Sequence, residues 1–477
     1  MNIPAFKKAR QSRDPRFDGH FFVAVLSTGI YCRPVCPARL PREENVRYFL
    51  TAAAAVEDGY RPCLRCKPES APAHGWNFAP DLLRKGLGLI EEGVAEEGGV
   101  RNLAARVGVS TRHLGRLFKE HLGTSPQMLI RMRRVQLAKK LLDETGLSVT
   151  QIALSAGYGS VRRMNDDFRH VYRKTPSEIK KRVRAENSVV TVQIPFREPW
   201  DIRGTLEFFK RRATPGVEWI NNETYHRTIM LDGSAQTMSV NLRASSGEER
   251  SSCTLSVGST TSLLQVMERV TRMFDLAADP VEIQRHLEED RVLRPLLRKF
   301  PGIRLPGTWD AFEVSVRAIV GQQISVDGAT RIMGRLAADY GTGVEIDGEQ
   351  HLLFPSPEIL SEINPASLPM PEARAKAIRD LARRVVSGEV DFSFSNEDLR
   401  EQLLNIKGIG PWTTQYITMR VQGNPDAFMS SDLVLKKAAE RLYGFKSEKE
   451  LLRHSELWQP WRAYAALYLW HFAKEMT

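Results

Sequence analysis

Apolar residues recur every three to four positions through residues 80–186 and again through 281–477, which predicts two helical regions with Gly and Pro at their turns. Between them the period changes. Apolar and polar positions alternate at 190–194, 225–231, 238–242 and 253–257, whereas 202–211 and 263–274 keep helical spacing. The middle region therefore reads as α+β. Residues 69–75 read as a linker, a charged stretch covers 180–188, and a further break falls near Ala277 to Pro280. These breaks predict four domains: 1–72, 80–186, 188–278 and 281–477.

The 477 residues exceed what one hydrophobic core organises, in keeping with about three or four domains. Hydrophobic content of 42% and charged content of 26% are those of a globular protein. The net charge of +11 suits a polyanionic partner such as double-stranded DNA, although a well-solvated basic surface gives the same number. The first 17 residues are basic and lack the apolar run of a signal peptide. No stretch approaches the roughly 18 apolar residues of a membrane span, so a cytoplasmic location without membrane partners is expected. Five cysteines are too few for a disulfide scaffold in a chain of this length.

Four of those cysteines form two close pairs. The pattern is Cys32-x3-Cys36, then 26 residues, then Cys63-x2-Cys66. Each pair can put two sulfurs on one ion, and four thiolates satisfy tetrahedral Zn2+. A purely structural site is the plain reading of such a pattern. The surroundings add to it. The runs Thr28-Gly29-Ile30-Tyr31-Cys32-Arg33-Pro34-Val35-Cys36 and Gly59-Tyr60-Arg61-Pro62-Cys63-Leu64-Arg65-Cys66 resemble the N-terminal domain of the Ada alkylation-response family, over residues 12–68. The resemblance implies that Cys32 is both a zinc ligand and the acceptor of a methyl group from a DNA methylphosphotriester. It also implies that Thr28, Arg39 and Arg61 lie at the DNA. Pro37 stands where the family has a further arginine. A metal-held thiolate suits methyl transfer, because only the thiolate is nucleophilic.

Residues 100–110 read as helix and turn, with Gly108 in the turn and Ser110 as cap of the next helix. That helix puts Leu114, Leu117 and Phe118 inside, with Arg112 and Arg116 outside. A second copy runs from Val149 through Gly157-Tyr158-Gly159-Ser160 to a helix carrying Met164 and Phe168 inside and Arg162 and Arg163 on other faces. A helical bundle with a basic face is the alternative. The paired units, with Lys174-Thr175-Pro176 beyond them, resemble the AraC-type DNA-binding domain over 82–183, which implies two successive major-groove contacts. RNA polymerase is an expected partner if the chain activates transcription.

In the last region, Ile406-Lys407-Gly408-Ile409-Gly410-Pro411-Trp412 can turn one helix into the next with amides exposed to a DNA phosphate. An ordinary helix C-cap gives the same pattern. Together with Gly423 to Leu433, Arg304 to Glu313, Val316 to Ser325 and Trp458 to Trp470, it resembles the helix-hairpin-helix DNA glycosylases of the AlkA 3-methyladenine type, over 190–477. The resemblance makes Asp432 the catalytic carboxylate, which stabilises the oxocarbenium-like state of glycosidic cleavage. On the residues alone, Asp432 could merely cap the helix that follows, and Ser431 could serve equally well. Asp426 is the rival carboxylate, read as shaping its loop. The resemblance puts Gly408 and Gly410 at the DNA backbone and Trp412, Tyr416 and Trp470 around an alkylated base. Gln323 stands where a bulky apolar wedge is expected. Relatives that also nick the strand carry a lysine at Trp412, so a monofunctional hydrolase is expected.

The expected fold class is multidomain and mainly α: a small zinc-bound α/β domain, an all-α double helix-turn-helix domain, an α+β domain and an all-α helix-hairpin-helix glycosylase domain. The expected function is that of a combined regulator and repair enzyme of the alkylation response, with one zinc and no organic cofactor. The alternatives are a regulator with an inert glycosylase-like half, and an enzyme whose N-terminal half is a passive DNA clamp.

Overall fold

A computed structural model describes residues 3–72, 80–91, 94–180, 189–243, 251–258, 261–393 and 396–475. Residues 73–75 of the expected linker and 181–188 of the charged stretch lie outside them. The chain divides into two compact units. One comprises 1–196 with 246–268, and the other 197–245 with 269–477.

The first unit opens on a four-stranded sheet of order β3-β1-β2-β4, formed by β1 (Phe22–Val25), β2 (Ile30–Cys32), β3 (Val46–Phe49) and β4 (Arg61–Pro62). Phe21, Val23 and Ala24 are buried against Ala9 and the alanine-rich helix Ala52–Glu57. Thr51 accepts from Ala54 N to cap that helix, and its hydroxyl donates to the Leu122 carbonyl of the helical region. The two predicted helix-turn-helix units follow. The first has the helices Val94–Val107 and Thr111–Leu122, the second Val149–Ser155 and Val161–Tyr172, and Pro126–Glu144 joins them. Ser110, Ser125, Ser148 and Ser160 each cap the next helix through the side chain. Gly108 and Gly157 sit at φ +87° and +76°, which suits glycine at both turns. Leu103, Leu114, Phe118, Met164 and Phe168 are fully buried, as their spacing predicts. The unit also contains the antiparallel pair β5 (Val189–Pro195) and β9 (Ser252–Gly258), where Ile194 lies opposite Cys253.

Residue 69 was expected to begin a linker, but its side chain is inside. Glu69 pairs with Lys139 at 3.3 Å, and both side chains are under 5% exposed. Lys139 also meets Asp143, which Lys67 reaches from the other side.

The second unit begins with the helix Ile202–Arg212 and an antiparallel meander of β6 (Glu218–Asn221), β7 (Thr224–Leu231) and β8 (Ser234–Asn241). Phe209, Tyr225 and Phe274 pack their rings together beneath it. The rest is helical, as expected, with one addition. A hairpin of β10 (Thr342–Ile346) and β11 (Glu349–Leu353) turns at Asp347-Gly348, both at positive φ. It docks through Leu352 N to the Gly216 carbonyl at 2.9 Å, where a Cβ on Gly216 would come within 2.7 Å of the Leu352 side chain. Two apolar cores support the helices. One contains Phe312, Ile319, Met333, Leu381 and Leu403, the other Leu297, Leu435, Trp458 and Tyr464.

Candidate functional site

The parallel pairing of β2 with β4 sets Tyr31 against Pro62, which brings Cys32 and Cys63 to adjacent strand ends. Two tight turns then return Cys36 and Cys66. The four Sγ atoms lie within 4.8 Å of one another, close enough for one ion with Zn–S bonds of about 2.3 Å. Four thiols this close cannot all ionise without a cation between them. Cys36 and Cys66 are buried, while Cys32 and Cys63 reach the surface. Arg33 N donates to Cys66 Sγ at 3.4 Å, and the Arg33 guanidinium makes a buried ion pair with Asp18. Thr28 and Arg39 are exposed and Arg61 is half-buried. Cys253 is enclosed; burial pushes its thiol up to about 12.

Arg112 and Arg116 project from Thr111–Leu122, and Arg162 and Arg163 from Val161–Tyr172, all exposed. Among the described residues, Arg116 makes a loose ion pair with Glu120 at 3.9 Å. Both helices thus present cationic side chains at the surface.

The hairpin of the second unit joins Asn396–Leu404 to Pro411–Gln422. Gly408 has φ +97°, and a Cβ there would crowd Ala377 at 3.3 Å. Gly410 caps the second helix with no side chain over its amides, and Pro411 starts it. At the second position of this helix, Trp412 Nε1 donates to Asp432 Oδ2 at 2.9 Å, and Trp470 Nε1 donates to Asp432 Oδ1 at 3.1 Å. Asp432 Oδ1 also accepts from Leu435 N at 2.9 Å, so this carboxylate caps Leu433–Tyr443. The capping reading therefore holds for Asp432, and Ser431 is not the cap. Trp412 stacks on Tyr416 with centroids 5.4 Å apart and planes within 5°. Asp426 is held by Arg462 through both oxygens, at 2.7 and 2.6 Å, as a loop-shaping residue should be.

Gln323 stands exposed at φ +58° in the loop between Ala311–Val320 and Val326–Tyr340. Its neighbour Gln322, not singled out by sequence reasoning, donates to the Gly408 carbonyl and to Thr413 Oγ1, both at 3.0 Å. This ties the Gln323 loop to the hairpin. Its only sequence signal was a second glutamine.

The cysteine cluster, the paired helix-turn-helix units and a carboxylate bonded to the helix after a glycine hairpin define a modular DNA-repair protein that joins a metal-binding and DNA-reading half to a base-excising half. Four domain families match in order: the metal-binding domain of Ada (5–69), a helix-turn-helix domain (103–182), the AlkA N-terminal domain (191–310) and the HhH-GPD superfamily of base excision DNA repair proteins (316–463). The "Probable bifunctional transcriptional activator/DNA repair enzyme AlkA" of Mycobacterium tuberculosis is 38% identical, covering 97% of this chain and 95% of its own length. The chain belongs to this family of fused Ada–AlkA proteins. The DNA-3-methyladenine glycosylase 2 of Escherichia coli is 30% identical over 58% of this chain and 95% of its own length. A 3-methyladenine DNA-glycosylase structure from Archaeoglobus fulgidus shares the fold, with a TM-score of 0.53 and 22% identity over 60% of this chain. The chain accordingly carries a zinc site and DNA-binding domains. No helix of the described residues is long and apolar enough to cross a membrane.

Proposed function

We propose that the protein removes alkylated bases such as 3-methyladenine from duplex DNA, with Asp432 as the catalytic carboxylate, and that its N-terminal half senses methylphosphotriesters and regulates transcription. The observation that carries the first part is the Asp432 carboxylate, aimed by two indole N–H groups beside an aromatic stack. As the glycosidic bond breaks, positive charge grows on the sugar, and a fixed carboxylate lowers that barrier. Gly408 and Gly410 grip the strand, and Gln323 enters the gap left by the extruded nucleotide. No lysine stands at the Trp412 position, so the abasic site is left uncut.

In the sensor, Cys32, Cys36, Cys63 and Cys66 hold the zinc, which keeps the thiolates deprotonated when bound. The resemblance to the Ada domain makes Cys32 the acceptor, and its sulfur is one of the two that reach the surface. Its sulfur forms a bond to the methyl carbon as the phosphate oxygen leaves with the electron pair. Thr28, Arg39 and Arg61 face that phosphate, and Arg112, Arg116, Arg162 and Arg163 read successive grooves. The protein works in the cytoplasm and, as an activator, meets RNA polymerase. The test is incubation with alkylated duplex DNA and chromatography of the released bases. Absence of 3-methyladenine from the wild-type reaction overturns the glycosylase reading.

A further inference from the structure

The loop between Ala311–Val320 and Val326–Tyr340 sends its side chains two ways. Gln323, Ile324 and Ser325 are exposed at its tip. Gln322 faces the hairpin, and both protons of its Nε2 are used there: one goes to the Gly408 carbonyl and one to Thr413 Oγ1, each at 3.0 Å. Gly408, at φ +97°, lies in the turn just before Gly410, and Thr413, 3% exposed, directly follows Trp412. One amide nitrogen therefore spans the stretch that contains the uncapped helix start at Gly410 and the indole donor to Asp432. The loop's own backbone holds it weakly. Gln322 N donates to the Ile319 carbonyl at 3.3 Å and Ile324 N to the Gly321 carbonyl at 3.5 Å, both long for such bonds. Yet Gln323 stands at φ +58°, in the left-handed region that residues other than glycine seldom occupy. A backbone in that state persists only where its surroundings fix it.

We propose that Gln322 is a positioning residue that locks the Gln323 loop to the hairpin, so that gripping the strand and opening a gap in it become one movement. The proposal rests on Gln323 as the residue that enters the gap and on Gly408 and Gly410 as the grip. Extruding a base costs its stacking and pairing. A wedge offsets that cost only if it holds its place against the duplex. A loop free to recoil has to be ordered as it enters, and that entropy counts against extrusion. With Gln322 bonded to the hairpin, the order exists beforehand. The same bonds fix which nucleotide is displaced, because Gln323 then stands at one spacing from the gripped phosphate. Thr413, the second acceptor, sits on the helix that carries Trp412, so the wedge is also in register with Asp432. In this role Gln322 acts through Gln323 rather than on the base.

The experiment uses the full chain as wild type, Gln322→Met, Gln322→Lys, Gln323→Ala and the double variant Gln322→Met/Gln323→Ala. Methionine keeps the length and loses both donors, whereas lysine keeps donors for the two acceptors. The probe is a duplex with one 7-methylguanine beside 2-aminopurine, whose fluorescence rises when its neighbour leaves the stack. Fluorescence at saturating protein reads extrusion, and base release in a single turnover reads the chemistry after it. Gln322→Met should lower the extrusion equilibrium about tenfold, the loss expected for two neutral hydrogen bonds, with affinity for an undamaged duplex retained. Gln322→Lys should restore part of it. In the Gln323→Ala background, Gln322→Met should cost little more, because the group it positions is already gone. A merely structural Gln322 would weaken binding of both duplexes alike and multiply with Gln323→Ala; either result overturns the proposal, as does full extrusion by Gln322→Met. Extrusion without release by the wild type overturns the glycosylase reading instead, while the fluorescence still decides the role of Gln322. No extrusion by the wild type overturns both.

Discussion

Trp470 and Asp432 meet although 38 residues separate them: the indole Nε1 of one donates to Oδ1 of the other at 3.1 Å. Trp412 takes the remaining oxygen, Oδ2. Side-chain donors thus fix both oxygens of the carboxylate from two directions. Asp432→Asn keeps an acceptor for Leu435 N, so the helix cap survives while the charge is lost. Release of 3-methyladenine should fall by about 10²–10³-fold with DNA binding retained. Single-turnover release assays beside gel shifts check this. Asp432→Ala loses the cap as well and should melt lower than Asp432→Asn.

Trp470→Phe and Trp412→Phe each remove one donor and leave a ring. Each should slow the chemical step about tenfold, since one well-made hydrogen bond to a charged group is worth on the order of 1.5 kcal/mol. Because both donors act on one carboxylate, the double variant should fall short of the product of the single effects. Strand breakage at the abasic product, read on a denaturing gel, should be absent throughout.

Metal analysis of the full chain should give one zinc, and Cys36→Ser should lower that stoichiometry. Methylation of Cys32 changes the formal charge of four thiolates and one Zn2+ from minus two to minus one, so DNA phosphates are repelled less. Affinity for a promoter fragment should rise after treatment with a methyl donor, and the gain should shrink as salt increases. Mass spectrometry confirms the modified residue. Equal affinities at low salt, with Cys32 methylated, contradict the charge switch.

Asp290 Oδ2 accepts from Tyr443 Oη, Trp458 Nε1 and His454 Nε2 at 2.9, 2.9 and 2.8 Å. Burial alone would raise this carboxyl, but the His454 and Trp458 bonds, with others, bring it below the ordinary carboxylate value. Its stabilising contribution is therefore complete above about pH 4 and is lost as pH falls through the depressed value. Asp290→Asn should lower the thermal midpoint by about 5 °C at neutral pH and flatten the decline in acid. Calorimetry across pH measures both.

The elements most legible in the sequence were those whose pattern one buried surface dictates. Tyr225 and Ile229 of β7 lie on one buried face, and Leu114 and Phe118 share another, so period alone found them. The cysteines were legible because short spacing forces sulfurs together. The hairpin of β10 and β11 was missed because most of its side chains are exposed or half-exposed on both faces, which leaves little alternation to read. Glu69 was misread because Pro, Ala and Ser around it mimic a linker, while its partner Lys139 lies far along the chain. Arg420 was not singled out, because its contacts with Gly307 and Tyr416 are ones that no local pattern encodes.

The Thr51–Leu122 bond has a consequence for promoters. Glu57 adds to it, reaching Lys119 at 3.0 Å and Ser125 Oγ at 3.0 Å, and Glu69 with Lys139 closes the other edge. Fastened at three points, the cysteine cluster and the helix Thr111–Leu122 keep a fixed separation. The promoter phosphate that meets the cysteine domain and the groove that is read should then keep a constant phase on the duplex. Inserting about five base pairs between them turns the two to opposite faces of the helix, and a second such insertion brings them back into line one turn too far apart.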